Sequence, residues 1–295
     1  MGGLGVLPLD RRLVRVPAPG SAVRRAWTWR LRDVVDRAWW PQGATWWGSG
    51  ADARLLVAWY SRSGGSRVSV LDLARRRYAH VPLLGPTGPD GAPEPLAMHA
   101  GGLAATGSWL HVAATYDGLW SFHADDLTAT SVTAGWVARA RHRPTPAGSD
   151  EAPLRWSFVG LGADGASLVA GEYGRGGAPT RLARVALDDG LPVGPLEVLG
   201  DGPRGMQGAV DLGAQGGGGW VLSTSHGPWG RGSLWTGRPG AWTRHADALP
   251  MGPEDLAGSG TDPRTVWTAT EHPWRRWVVE ARVPGARHET DTSGP

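Results

Sequence analysis

Five short polar motifs recur along the chain, and each stands at the start of an apolar run. Their central residues lie 47 to 58 positions apart. A second polar position follows each motif by 16 to 18 residues, at the end of the next apolar run. A constant offset of this size is typical of a hairpin whose second strand returns to the surface that the first strand left. We therefore expect both sets of polar residues to meet at one surface.

These residues bring amide, imidazole, hydroxyl and carboxylate groups together. The first set is Gln42, His99, Ser157, Gln207 and Glu254 with Asp255. The second set is Tyr60, Tyr116 with Asp117, Glu172 with Tyr173, Ser225 with His226, and Glu271 with His272. Arginines follow the second set at Arg62, Arg175, Arg231 and Arg275. Because polar groups that interrupt apolar strands need partners, we expect one shared polar cluster.

Three carboxylates in these sets, Glu172, Glu254 and Glu271, predict a cation site. Carboxylates at close range repel one another unless one is protonated or a cation lies between them. Oxygen donors from glutamate, glutamine and serine suit Ca²⁺, whereas the three histidines of the two sets would suit a transition metal. We therefore predict that Ca²⁺ or another divalent cation binds here, with Arg175, Arg231 and Arg275 as alternative partners of the glutamates.

A second interpretation of the cluster is a site for a small polar molecule. The predicted ligand contacts are Gln42, His99, Tyr116, Asp117, Tyr173, Arg175, Gln207, Ser225, His226, Arg231, Asp255 and His272. Arginine presents a planar fork to a carboxylate or phosphate, so the arginines could instead bind an anionic ligand. Trp229 and Trp274 lie in loops after the second set and could stack on a sugar. A hydrogen-bonded polar plug without any ligand is the alternative.

Strands must position these groups. The spacing of the motifs is close to the 40–50 residues of a four-stranded propeller blade. The last repeat, after Glu254, has room for only two or three strands. Alternating segments before residue 31 could supply the missing strand. We predict an all-β fold: a five-bladed β-propeller, a single domain over residues 1–285, with its ring closed by N- and C-terminal strands. Residues 286–295 are predicted to be a disordered tail, and the spacing from Leu31 to Trp39 predicts a short helix.

The composition excludes several classes of protein. All 30 basic residues are arginine, the net charge is +3, and the arginines are scattered rather than clustered, so we expect no nucleic-acid partner. No apolar run approaches the roughly 18 residues that span a bilayer, and no cysteine is present. The sequence has no P-loop, dinucleotide fingerprint or G-x-S-x-G motif. Pro41-Gln42-Gly43 stands where five-bladed glycosidases place a carboxylate, which argues against that activity.

The motifs also resemble a family. Pro-Gln-Gly at 41–43, His-Ala-Gly-Gly at 99–102, Gly-Glu-Tyr-Gly-Arg at 171–175, Met-Gln-Gly-Ala-Val at 206–210 and Gly-Pro-Glu-Asp-Leu at 252–256 are similar to those of an uncharacterised, Streptomyces-type actinobacterial family of hypothetical or secreted proteins. The absence of lysine, asparagine and isoleucine, whose codons are AT-rich, agrees with a high-GC genome. The resemblance implies export, but residues 1–19 lack the apolar core of a signal peptide, so the chain as written is expected to be cytoplasmic.

The sequence predicts binding rather than a particular reaction. The leading hypothesis is a propeller that binds a cation or a small polar or anionic ligand at the mouth of its channel, and that could act as a hydrolase. The alternative is a non-catalytic scaffold or a carbohydrate-binding module. Whether the chain is an enzyme stays open.

Overall fold

The computed structural model describes residues 7–86, 93–128, 135–147, 152–214, 217–259 and 262–285. Within these ranges the chain forms β-strands and one short α-helix, which confirms the predicted all-β class. The segment 286–295, predicted to be disordered, lies outside the described residues. Within the same ranges, no helix is long and apolar enough to cross a membrane.

The N-terminal part contributes three short strands and the helix. These are β1 (Arg11–Arg12), β2 (Val14–Arg15), β3 (Val23–Thr28) and α1 (Leu31–Val35). The helix falls within the segment in which helical spacing predicted one.

The rest of the chain is built from repeated antiparallel units. Unit I is β4 (Trp39–Trp47), β5 (Arg54–Ser61), β6 (Ser66–Asp72) and β7 (Arg77–Leu84). Unit II is β8 (Gly102–Thr106), β9 (Trp109–Ala113), β10 (Leu119–Thr128) and β11 (Gly135–His142). Unit III is β12 (Phe158–Leu161), β13 (Ser167–Gly171), β14 (Arg181–Asp188) and β15 (Leu191–Asp201). Unit IV is β16 (Met206–Asp211), β17 (Trp220–His226), β18 (Gly230–Arg238) and β19 (Ala241–Met251).

Unit V joins the two ends of the chain. Its C-terminal strands are β20 (Pro253–Gly258), β21 (Thr265–Thr270) and β22 (Trp277–Arg282). Strand β3 pairs with the outer edge of β22, and β2 pairs with β3. A short parallel pairing of β7 with β11 joins units I and II into one sheet, and β1 pairs with β7.

The first strands of the units contact one another in a cycle. Strand β4 contacts β8, β8 contacts β12, β12 contacts β16, β16 contacts β20, and β20 contacts β4. Among the described residues, five hydrophobic clusters fill the spaces between successive units. Tryptophan supplies much of this packing, since Trp47 stacks on Trp136 at 5.0 Å between units I and II. Trp27 stacks on Trp267 at 5.6 Å in unit V.

Glycines let the first strands approach one another closely. A Cβ atom on Gly43 would lie 2.6 Å from the carbonyl carbon of Gly102. A Cβ atom on Gly102 would overlap Val159, and one on Gly208 would overlap Leu256. None of the three glycines has a left-handed backbone, so the close approach of backbones, and not conformational freedom, requires glycine here. This explains the glycine of the Pro-Gln-Gly, His-Ala-Gly-Gly and Met-Gln-Gly motifs.

Gly208→Ala is expected to lower the free energy of unfolding by about 2 kcal/mol, because the added methyl group must push two backbones apart. Urea unfolding followed by tryptophan fluorescence measures the change. Gly85→Ala is the matched control, because the nearest atom to its Cβ would be 3.8 Å away. Equal stability of the two variants would contradict this account of the motif glycines.

Candidate functional site

The predicted hairpins have the expected register. In each unit the start of the first strand pairs with the end of the second: Trp40 with Tyr60, Gly102 with Ala113, Phe158 with Gly171, Met206 with Thr224, and Pro253 with Thr270. The loops that follow the second strands therefore lie beside the first-strand starts, at the same end of each unit. We call this end the polar mouth.

Two neighbouring carboxylates lie at the polar mouth. Glu254, on β20, is only 3% exposed, and Glu271 follows β21. The amide nitrogen of Gln207 donates to Oε1 of Glu254 at 3.1 Å. The amide nitrogen of Gln42 donates to Oε2 of Glu271 at 3.2 Å. Each carboxylate of unit V is thus held by a glutamine from a neighbouring unit.

The surroundings of Glu254 and Glu271 disfavour the ionised form of both carboxyl groups. Burial raises the pKa of Glu254 well above its ordinary value, and the charges of Glu271 and Asp255 add to the shift. Burial also raises the pKa of Glu271, although the Gln42 amide opposes the shift. Among the described residues, neither carboxylate has an arginine ion pair. A positive charge placed between them would relieve both effects.

Two tyrosines lie near the carboxylate pair, and one of them stacks on a histidine. The His99 ring stacks on Tyr60 with 4.6 Å between centroids. Burial raises the pKa of the Tyr60 hydroxyl, and the nearby Glu271 and Glu254 raise it further. The pKa of Tyr173 is raised in the same way by burial and by Glu254. Tyr60 and Tyr173, from units I and III, therefore face the same pair of carboxylates.

Asp255 lies beneath the pair and ties three units together. Its Oδ2 accepts hydrogen bonds from the backbone nitrogens of Ala44, at 3.2 Å, and Leu103, at 3.0 Å. Its Oδ1 accepts one from Leu256 at 2.9 Å. Burial raises the pKa of Asp255 well above its ordinary value, while the three N–H groups oppose the shift. With its acceptors engaged by the backbone, Asp255 closes the space between the first strands and does not serve as a free ligand.

The predicted cluster of three glutamates does not form. Glu172 accepts two hydrogen bonds from the Arg181 guanidinium, both at 2.8 Å, and one from the Arg155 backbone nitrogen at 2.9 Å. Burial would raise its pKa, but the Arg181 guanidinium and the backbone N–H groups of Arg155 and Arg181 together lower it. Among the described residues, no group of three His, Cys, Asp or Glu side chains could hold a metal ion.

The arginines predicted to pair with the glutamates have other neighbours. Arg275 lies 3.9 Å from the Trp229 ring and donates to the Pro228 carbonyl. Arg231 lies on β18 opposite Met251, on the outer part of unit IV. Arg175 is exposed in a loop of unit III, and its charge lowers the pKa of Tyr173 against the larger effect of burial.

Several predicted contacts have partners other than the carboxylate pair. His226 contacts Ser233 and Arg244 on the outer strands of unit IV. Ser225 donates its backbone N–H to Gly205. The ring of Tyr116 is 74% exposed beneath Arg155, and Asp117 pairs with Arg143.

One predicted imidazole and two predicted indoles lie at the rim of the polar mouth. His272 lies 3.5 Å from Glu271 and packs edge-on against Trp40. Burial lowers its pKa, so it is neutral near pH 7. Trp229 and Trp274 are 79% and 67% exposed. Trp274 has a positive φ of 70°, a conformation that bulky residues rarely adopt.

A buried arginine that the sequence pattern did not reveal supports the loop of Glu271. Arg276 is fully buried and donates to the backbone carbonyls of Glu271, Asp33 and Trp39 at 2.6–2.9 Å. Its partners come from α1, β4 and the β21–β22 loop. The sequence pattern could not predict these contacts, because more than 200 residues separate Arg276 from two of the three carbonyls.

No family model matches the chain, and no curated protein does, so the resemblance to an actinobacterial family stays a prediction. Solved structures do match. One is a protein of unknown function from Bacteroides thetaiotaomicron, with 11% identity, a TM-score of 0.46, and coverage of 92% of this chain and 76% of that chain. The Dos1 propeller matches at 11% identity and a TM-score of 0.37, covering 75% and 53%. A putative exo-β-1,3-galactanase from Bifidobacterium bifidum matches at 11% identity and a TM-score of 0.45, covering 81% and 86%.

Proposed function

We propose that the chain is a five-bladed β-propeller, a single domain over residues 1–285, in which units I to V are the blades. The cyclic contacts of β4, β8, β12, β16 and β20 support this arrangement. The pairing of β3 with β22 supports closure by strands from both termini. The polar mouth is then one end of the central channel.

The function we propose is binding of a small polar ligand that carries a positive charge, with that charge between Glu254 and Glu271. The observation that carries the proposal is the pair itself. Glu254 is buried and Glu271 is partly buried, both have a raised pKa, and both accept a hydrogen bond from a glutamine amide, with no arginine ion pair among the described residues. An unpaired buried charge is costly, and a bound cation would offset the cost.

The surroundings favour an organic cation over a metal ion. Tyr60, His99 and Tyr173 place aromatic groups beside the pair, and aromatic faces attract ammonium groups. Ca²⁺ needs six to eight oxygen ligands, and among the described residues no group of three His, Cys, Asp or Glu side chains could hold a metal ion. The oxygens of Asp255 already accept backbone N–H groups. Ca²⁺ or another divalent cation therefore fits this set less well and is the second candidate for the bound cation.

A hydrolase-like role is the second candidate function. A carboxyl group with a raised pKa can donate a proton near neutral pH while a neighbouring carboxylate accepts one. Release of nitrophenol from p-nitrophenyl acetate by the wild type, and its loss in Glu254→Gln, would support that role.

The test of cation binding is a thermal melt with tetramethylammonium chloride and, separately, with calcium chloride, each compared with sodium chloride at equal ionic strength. A cation at 100 times its Kd is expected to add about 2.7 kcal/mol to the stability of the wild type. Glu254→Gln and Glu271→Gln should lose this gain, and Glu197→Gln, at an exposed position on β15, should keep it.

The pH dependence of binding has a defined sign. Protonation removes the negative charge that holds the cation, and the pKa of both glutamates is raised above 4.5. Affinity should therefore fall with decreasing pH before that value is reached. No gain with either cation would favour a non-catalytic scaffold, and an equal gain in all variants would place the site elsewhere.

A further inference from the structure

A large cavity lies at the end of the first strands opposite the polar mouth. Its volume is about 1190 Å³. The C-terminal residues of all five first strands line it: Trp46 and Trp47 of β4, Thr106 of β8, Leu161 of β12, Asp211 of β16, and Gly258 of β20. We call it the distal cavity. Typical ligand pockets measure roughly 300–1,000 Å³, so the distal cavity has room for a ligand larger than a single small metabolite.

The distal cavity is separated from the polar mouth. Between the two lie the close backbone approaches at Gly43, Gly102 and Gly208 and the fully buried side chain of Asp255. A ligand of the distal cavity therefore does not reach Glu254 or Glu271. The two sites are expected to bind independently.

The walls combine aromatic, aliphatic and small residues. Trp46 is the partly exposed indole of the wall and packs edge-on against the buried Trp267 at 5.3 Å. Leu161 is 37% exposed and adds an aliphatic face to the wall. Thr45, Ser49, Ser108 and Thr265 add hydroxyl groups to the lining. Such walls suit a ligand with both apolar faces and hydroxyl groups.

The charged groups of the lining are balanced within the protein. Glu280 accepts a hydrogen bond from Nε of Arg25 at 2.7 Å. Asp211 pairs with Arg184 at 3.0 Å, and Asp262 pairs with Arg264 at 2.9 Å. Among the described lining residues, each carboxylate is thus paired with an arginine, so the cavity favours a neutral ligand.

We propose that the distal cavity binds a neutral oligosaccharide. A pyranose ring presents C–H groups on its faces, which pack on an indole, and hydroxyl groups around its edge, which hydrogen-bond to threonine, serine and carboxylate oxygens. An aliphatic ligand would displace water from the hydroxyl groups of Ser49 and Ser108 without replacing its hydrogen bonds, at a cost. A charged ligand would compete with ion pairs already formed.

Isothermal titration calorimetry with cellohexaose, xylohexaose and mannohexaose tests the proposal. At least one of the three is expected to bind the wild type. Trp46→Ala and Ala163→Arg should each weaken binding about tenfold or more. Ala163 is an exposed residue of the lining, so its substitution obstructs the cavity without disturbing the core, whereas Trp46→Ala could also affect folding.

Trp229→Ala is the matched control, because that indole is exposed at the polar mouth, and Glu254→Gln separates this proposal from the function of the carboxylate pair. Both should bind within about twofold of the wild type. Failure of all three hexasaccharides to bind would overturn the proposal, as would binding that Trp229→Ala abolishes and Ala163→Arg leaves intact. Loss of cation binding in Glu254→Gln with saccharide binding retained supports two independent sites.

Discussion

Asp255→Ala is expected to lower the free energy of unfolding by about 4 kcal/mol, because three buried backbone N–H groups lose their acceptor at about 1–3 kcal/mol each. The three donors belong to Ala44, Leu103 and Leu256, which lie on β4, β8 and β20. Removing the carboxylate also relieves its repulsion of Glu254, so the net loss is smaller than the sum of three lost bonds. Urea unfolding at pH 7 measures the difference.

Two further variants sharpen this test. Asp255→Asn keeps one carbonyl oxygen, which can accept from Ala44 and Leu103, and it should cost about half as much as Asp255→Ala. Asp188→Ala, at an exposed strand end, should change stability by about 0.5 kcal/mol at most. If Asp255→Ala is as stable as the wild type, Asp255 does not hold the first strands together, and the separation of the two proposed sites loses its basis.

The repeat of paired strands could be predicted from sequence because it is local. Strand period and hairpin length fix which end of a unit each residue occupies, so the offsets from Gln42 to Tyr60 and from Glu254 to Glu271 placed these residues near each other in each hairpin. Spacing does not fix which atoms meet between units. The contacts Gln42–Glu271 and Gln207–Glu254 join different units and depend on how the units pack.

Glu172 shows where the sequence reasoning was insufficient. Its position in the repeat is equivalent to that of Glu271, yet its carboxylate forms an ion pair with Arg181 at the start of β14. The choice between a cation and an arginine depends on which guanidinium lies within reach, and this is a property of side-chain packing. The distal cavity could not be predicted for a different reason: its lining residues are mostly small and apolar, and they form no polar pattern in the sequence.

A buried network around Asp33 joins the helix to unit I. Its members are far apart in the sequence, so spacing did not predict this network either. Oδ2 of Asp33 accepts a hydrogen bond from the Tyr78 hydroxyl at 2.5 Å. His80 lies 3.3 Å and Arg67 3.7 Å from Oδ1. Nδ1 of His80 hydrogen-bonds to Ser69 at 2.8 Å. The order Asp33, His80, Ser69 resembles a hydrolytic triad, but Ser69 has no exposed surface, so a substrate cannot reach it and the network is structural.

Asp33→Ala is expected to destabilise the protein by about 3–5 kcal/mol, the usual cost of removing one partner from a buried charged network. Burial lowers the pKa of His80 to about 4, so the histidine is neutral at pH 7 and cannot replace the lost carboxylate. Arg67, which is partly buried, would lose its ion pair with the Asp33 carboxylate. Asp52→Ala, at an exposed aspartate, is the control and should change stability by about 0.5 kcal/mol at most.

The pH dependence of this difference separates a buried ion network from a mere loss of packing. Burial would raise the pKa of Asp33, but His80, Tyr78 and Arg67 together hold it below the ordinary value of 3.8. A carboxylate with a lowered pKa adds stability that is present above its unfolded pKa and is lost as the pH falls through its folded pKa. The difference between wild type and Asp33→Ala should thus be constant from pH 8 to about pH 5 and shrink below that. A difference that stays the same down to pH 2.5 would mean that packing, and not charge, is what Asp33 contributes.

The same variant should loosen the polar mouth. The Asp33 carbonyl accepts from Arg276, which also holds the Glu271 carbonyl, and the Val34 carbonyl accepts from the Trp274 backbone. If α1 shifts, the loop 271–276 loses its support, and Glu271 is no longer fixed opposite Glu254. Amide hydrogen exchange in this loop should therefore accelerate in Asp33→Ala under conditions where the variant is still folded, while exchange in β13 of unit III should not change. Equal acceleration in both segments would indicate global destabilisation alone and would remove α1 from the support of the site.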